Sequence, residues 1–174
     1  MIFAVLALPL QPPLVPSEAC PEPCRRVEGR SERTNSSATA FDQLKQLVGT
    51  WRNADKPDSP LRIRFALTAG GMVLVESWER AGQPHSLTLY HRDGDSLIAT
   101  HYCPQGKQPR LTLTTPGPKL TFTFRDSTDL SAGESHLHDL SFDLSDPERM
   151  VRGEVYRQGG EADQTTLKLI RTGE

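Results

Sequence analysis

The sequence predicts an all-β protein, an up-and-down antiparallel β-barrel of about ten strands with a short N-terminal helix. Three observations predict it. From residue 50 onward, apolar residues recur with a period of two in short runs. Turn signals of hairpin length separate the runs, among them Asp93-Gly94 and Pro116-Gly117-Pro118. No stretch between two runs can hold the helix that a parallel crossover needs. Such a meander has two exposed edges, and closing it into a barrel removes both. A two-sheet sandwich is the alternative architecture.

The elements follow in order. Phe41, Leu44, Leu47 and Val48 fall on one face of a helix over residues 40–48. Thr39 with Asp42 resembles a capping box, and Gly49 is a stop. Thr50 to Arg52 is a short first strand. Leu61, Ile63, Phe65 and Leu67 alternate with Arg62, Arg64 and Ala66, and Ala69-Gly70-Gly71 turns the chain. Further strands are expected over Met72 to Arg80, His85 to His91 and Leu97 to Cys103. Leu111 to Thr115, Leu120 to Arg125, His136 to Leu144, Met150 to Arg157 and Thr165 to Arg171 complete the set.

Residues 1–40 read as a separate segment, and 41–172 as the barrel domain. The first forty residues hold six of the fourteen prolines and no sustained period after Leu10. Arg25 to Ala40 is polar and reads as a flexible tail. Met1 to Leu10 is almost wholly apolar, as in the core of an export signal, which makes a periplasmic or secreted protein the first expectation and a cytoplasmic one the alternative. In an exported protein Cys20 and Cys24 could pair, closing a loop too short to contribute much.

Composition narrows the function. Twenty Lys and Arg against 22 Asp and Glu give a net charge of −2, without the basic surplus of a nucleic-acid binder. No apolar run reaches the ~20 residues of a membrane-spanning helix. Three cysteines lack zinc-ligand spacing. Phosphate loops, nucleophile elbows and zinc-protease helices do not occur.

Leu47-Val48-Gly49-Thr50-Trp51, a helix running into Gly-x-Trp, resembles the opening of lipocalin-like barrels of the calycin superfamily. The resemblance implies that Trp51 packs across one end of the barrel. Leu89 to Asp95, followed by Thr100-His101-Tyr102-Cys103 and Gln108-Pro109-Arg110, is similar to a functionally uncharacterised bacterial lipocalin-like family. That family carries Thr-His-Tyr-Cys before an Asn-Gln-Pro turn; Lys107 stands here in place of the asparagine. The haem-binding nitrobindin barrel is a more distant likeness. It uses an axial histidine on a late strand, and Met150 to Arg171 contains none, so haem chemistry does not transfer. No cofactor is expected.

An eight- to ten-stranded barrel can enclose one small ligand. Met72, Leu74, Glu76 and Trp78 share the bulkier face of their strand, which places them inward. An isolated carboxylate there must be neutral or paired with a cation or donor. His101 and Cys103 share a face with Leu97 and Ala99. Residues two apart on a strand stand roughly 6.5–7 Å apart, so adjacency alone does not make His101 and Cys103 a nucleophile pair. His136 and His138 also share a face, but no local third ligand completes a metal site.

The expected function is therefore the holding of a small hydrophobic or amphipathic molecule. Glu76, Trp78, Tyr90, His91, His101, Cys103, Gln108 and Arg110 are the candidate contacts. Two alternatives stand beside it. One is an enzyme using Glu76 and His101 as an acid–base pair on a small hydrophobic substrate. The other is a structural barrel filled by its own side chains.

Overall fold

The computed structural model describes residues 28–173, and their side chains from Ser36 onward. The expected export segment and the Cys20 and Cys24 pairing lie outside them. A helix, α1 (Glu28–Lys45), leads into ten strands. These are β1 (Gly49–Asn53), β2 (Leu61–Thr68), β3 (Val73–Arg80), β4 (Gln83–Asp93) and β5 (Ser96–Tyr102). They continue as β6 (Gln108–Thr115), β7 (Lys119–Thr128), β8 (His136–Asp146), β9 (Arg149–Gln158) and β10 (Glu161–Arg171). Each pairs antiparallel with its sequence neighbour, and β1 with β10, which closes the barrel. The up-and-down barrel read from the sequence is the observed fold.

Some boundaries move. The helix begins at Glu28 rather than near residue 40, so Thr39 lies inside it and is not a cap. Past Gly29 no glycine or proline interrupts the segment up to Lys45, and backbone hydrogen bonding continues. Met72 leaves the strand: it follows the 3-10 turn Ala69–Gly71 in αR geometry and is 62% exposed, not inward. Cys103 lies one residue past β5. Three strands start well before their expected first residue, β4 at Gln83, β6 at Gln108 and β10 at Glu161.

α1 closes the end of the barrel where β1 starts and β10 finishes. Its Phe41 and Leu44, with Leu47 just past its end, join Trp51, Phe65, Leu74, Leu97, Leu120, Met150 and Leu169 in one apolar core. Trp51 Nε1 donates to the Leu47 carbonyl at 2.8 Å, satisfying the indole N–H where it is buried. The Arg171 guanidinium lies over the Trp51 ring, 4.5 Å from its centre. Arg171 also donates to the Val48 and Gln46 carbonyls at 2.6 and 2.8 Å, capping the end of the helix with a positive charge.

The other end, ringed by the loops 54–60, 81–82, 103–107, 129–135 and 159–160, is built differently. β1 is five residues long and covers β10 only at Leu169, Ile170 and Arg171. From Glu161 to Leu167, β10 pairs with β9 alone, and the Lys168 carbonyl accepts from Ala54 N at 2.8 Å just past β1. Thr165 and Asp163, in phase with the inward Leu169, are exposed. The wall is therefore notched between β10 and β2.

Candidate functional site

Halfway along the barrel the apolar interior gives way to polar groups. Alternation on β3 turns Leu74, Glu76 and Trp78 inward, and the same phase on β4 turns Thr88 and Tyr90 inward. Glu76 and His101 each pair in register with Thr88, so the three form one row across β3, β4 and β5. On β9, Met150, Arg152, Glu154 and Tyr156 follow the inward phase. Arg152 is 1% exposed and Glu76 fully buried.

Glu76 is the hub. Oε1 accepts from Trp78 Nε1 at 2.6 Å, and Oε2 accepts from the Tyr90 hydroxyl at 2.5 Å. Arg152 Nε stands 2.7 Å from Oε1, an ion-pair distance without hydrogen-bond alignment. Arg152 Nη1 donates to Glu154 Oε1 at 2.6 Å. Its guanidinium lies 4.7 Å from the centre of the Trp78 ring and 5.8 Å from that of Phe142. Nη2 is buried and has no hydrogen-bond partner among the described residues. The buried carboxylate thus has both a cation and two donors, as its burial requires.

The charges answer to this arrangement. Burial works against the Arg152 cation, but Glu76 and Glu154 outweigh it and hold the guanidinium more firmly protonated than usual. Burial, reinforced by Glu76, raises the Tyr90 phenol well above its ordinary range. His101 is lowered, chiefly by burial; Arg152 and His85 lower it further, while Glu154 and Glu76 pull the other way. Its Nδ1 is 3.0 Å from Thr88 Oγ1. Burial first, then Glu154 and Cys103, raises the Tyr156 phenol.

Glu76 and His101 share no hydrogen bond among the described residues. Each is engaged by other partners, so no proton path runs directly from carboxylate to imidazole. The remaining candidates lie away from this cluster. Half-buried His91 is in outward phase on β4, with Nδ1 3.2 Å from the Arg92 carbonyl. Cys103 is half-buried at the mouth, its Sγ accepting from Gln105 N at 3.5 Å. Gln108 donates to the Gly106 carbonyl at 3.0 Å and accepts from the Thr128 hydroxyl. Arg110 is exposed and forked onto Asp126 at 2.5 and 2.8 Å.

Arg152 and Glu154 escape a reading of the sequence alone. The available signal was the phase of β9, which puts Arg152 two residues from Met150, together with the need of Glu76 for a cation. His136 and His138 flank Phe124, their ring centres 6.0 Å apart, at a register shift between Leu137 and Asp139. No group of three metal-ligating side chains occurs among the described residues. No helix among the described residues is long and apolar enough to cross a membrane.

A cavity of about 390 Å³ opens at the mouth beside the β9–β10 hairpin, lined by Gln105, Tyr156, Arg157, Glu161 and Asp163 among others, and not by Glu76, His101 or Arg152. Comparison with known protein families and with curated proteins finds no match to this chain. The closed ten-strand antiparallel barrel is compatible with a lipocalin-like or calycin-like fold.

Proposed function

We propose that this chain is a lipocalin-like binding protein that holds a small hydrophobic or amphipathic molecule, admitted from the notched end of the barrel. The observation that carries the reading is Arg152: a buried cation, 1% exposed, whose Nη2 donor has no partner among the described residues. Leaving a donor unsatisfied in a low-dielectric interior costs about 1–3 kcal/mol, which an acceptor on a bound molecule offsets. The polar contacts of that molecule come from Arg152 and His101, with Glu76, Trp78 and Tyr90 fixing the guanidinium. Cys103 and Tyr156 stand at the entrance. The cavity of about 390 Å³ at the mouth meets this group at Tyr156, and the molecule passes from there toward Arg152.

Native mass spectrometry of the protein purified from its own source, with solvent extraction of what travels with it, tests the reading. A stoichiometric organic molecule supports it. A ligand-free mass, together with no binding in a screen of medium-chain lipids, supports instead a barrel filled by its own side chains. Export is part of the proposal, and cell fractionation with N-terminal sequencing of the mature chain tests it.

A further inference from the structure

The charge balance around Arg152 bears on the head group of the molecule, an inference that rests on the binding role just proposed. We propose that the site selects an uncharged hydrogen-bond acceptor, a carbonyl or amide oxygen at the end of an apolar chain, over a carboxylate. One guanidinium faces two carboxylates: Nε stands 2.7 Å from Glu76 Oε1, and Nη1 stands 2.6 Å from Glu154 Oε1. The side chains of Arg152 and Glu76 are 1% and 0% exposed, and that of Glu154 only 15%. The cluster already carries one negative charge in excess. A second anion brought beside it meets repulsion in a medium that screens poorly.

The donors point the same way. Arg152 Nη2 requires an acceptor, and an uncharged oxygen supplies one without adding charge. Trp78 Nε1 and the Tyr90 hydroxyl are both committed to Glu76 and offer no further donor to an anion. His101 is held toward its neutral form by burial, which outweighs the pull of Glu154 and Glu76 and is helped by Arg152 and His85. A carboxylate head would therefore find one guanidinium already outnumbered by two carboxylates, and an uncharged ring.

The test is calorimetric titration of the full chain at pH 8 with octanamide and with octanoate, probes of equal chain length. Octanamide is expected to bind at least tenfold more tightly. Glu154→Gln removes the excess charge and keeps an acceptor for Nη1, so the gap is expected to narrow by about tenfold. Octanoate binding as tightly as octanamide overturns the head-group assignment and leaves the binding role standing. A gap that Glu154→Gln leaves unchanged overturns the assignment too. Binding of neither probe, with no molecule found on the native protein, overturns the binding role and this inference with it.

Discussion

Arg152 and Glu76 meet across the lumen, Nε to Oε1 at 2.7 Å, although β10, β1 and β2 separate their strands around the wall. The pair ties one side of the barrel to the other where both side chains are out of reach of water. A buried pair of this kind is a weak source of net stability, because desolvation consumes most of the attraction. Breaking it is another matter, since a charge is then left buried and unanswered.

Arg152→Met leaves Glu76 and Glu154 facing each other without a cation. The expected loss is about 3–5 kcal/mol, seen as a fall in the urea midpoint. Adding Glu76→Gln to that variant removes one stranded carboxylate and is expected to recover part of the loss. A single variant as stable as the wild type contradicts the pairing.

Tyr90→Phe removes the donor to Glu76 Oε2 and keeps the ring packed against Phe122 and Phe142. A hydrogen bond to a charged group is worth about 1.5–3 kcal/mol, which sets the expected cost near neutral pH. The cost depends on pH. The folded phenol holds its proton above the ordinary value of 10.0, so the unfolded chain releases a proton first and the wild type weakens as pH climbs past about 10. The variant has no phenol to titrate. The gap between the two proteins is expected to shrink between pH 9 and pH 11, as read from urea midpoints.

The barrel was legible because its evidence is local. Period-two runs and the Asp93-Gly94 hairpin signal need no tertiary information, and they led to ten antiparallel strands. The row Glu76, Thr88 and His101 was within reach for the same reason, since β3, β4 and β5 are consecutive. Arg152 was not, because its approach to Glu76 depends on closure, which brings the ninth strand to the third. Arg171 on Trp51 is the same case, joined only when β10 pairs with β1. The extra turns of α1 were obscured for another reason: their polar sequence carries no apolar stripe.

Gly49 is held by Arg171. Its φ of +133° is a conformation that side chains disfavour, and an added Cβ would stand 2.8 Å from Arg171 Nη1. Gly49→Ala therefore strains the backbone and pushes the guanidinium off the helix end, at an expected cost of about 1–3 kcal/mol. Arg171→Met keeps the glycine and removes the two bonds to the Val48 and Gln46 carbonyls together with the cation over the Trp51 ring. These bonds are partly open to solvent, so about 1 kcal/mol is expected from their loss. Thermal unfolding of the two variants separates the strain from the capping.

His101 sets the acid side of the stability profile. Burial keeps its folded-state affinity for a proton below that of a free imidazole, whose ordinary value is 6.5. As pH falls through about 6.5 the unfolded chain takes up a proton that the folded chain refuses, so stability is lost from that point downward until the folded ring also titrates. His101→Asn keeps a polar group beside Thr88 and cannot titrate. Urea midpoints between pH 5 and pH 7.5 are expected to fall with acid in the wild type and to fall less steeply in the variant. Parallel profiles would place the acid sensitivity elsewhere. The same titration reaches the binding site, because a protonated ring beside Glu154 and Arg152 cancels the excess negative charge there. The preference for an uncharged head group is then expected to weaken only at lower pH, where the folded ring itself takes up a proton and the wild-type stability profile levels off.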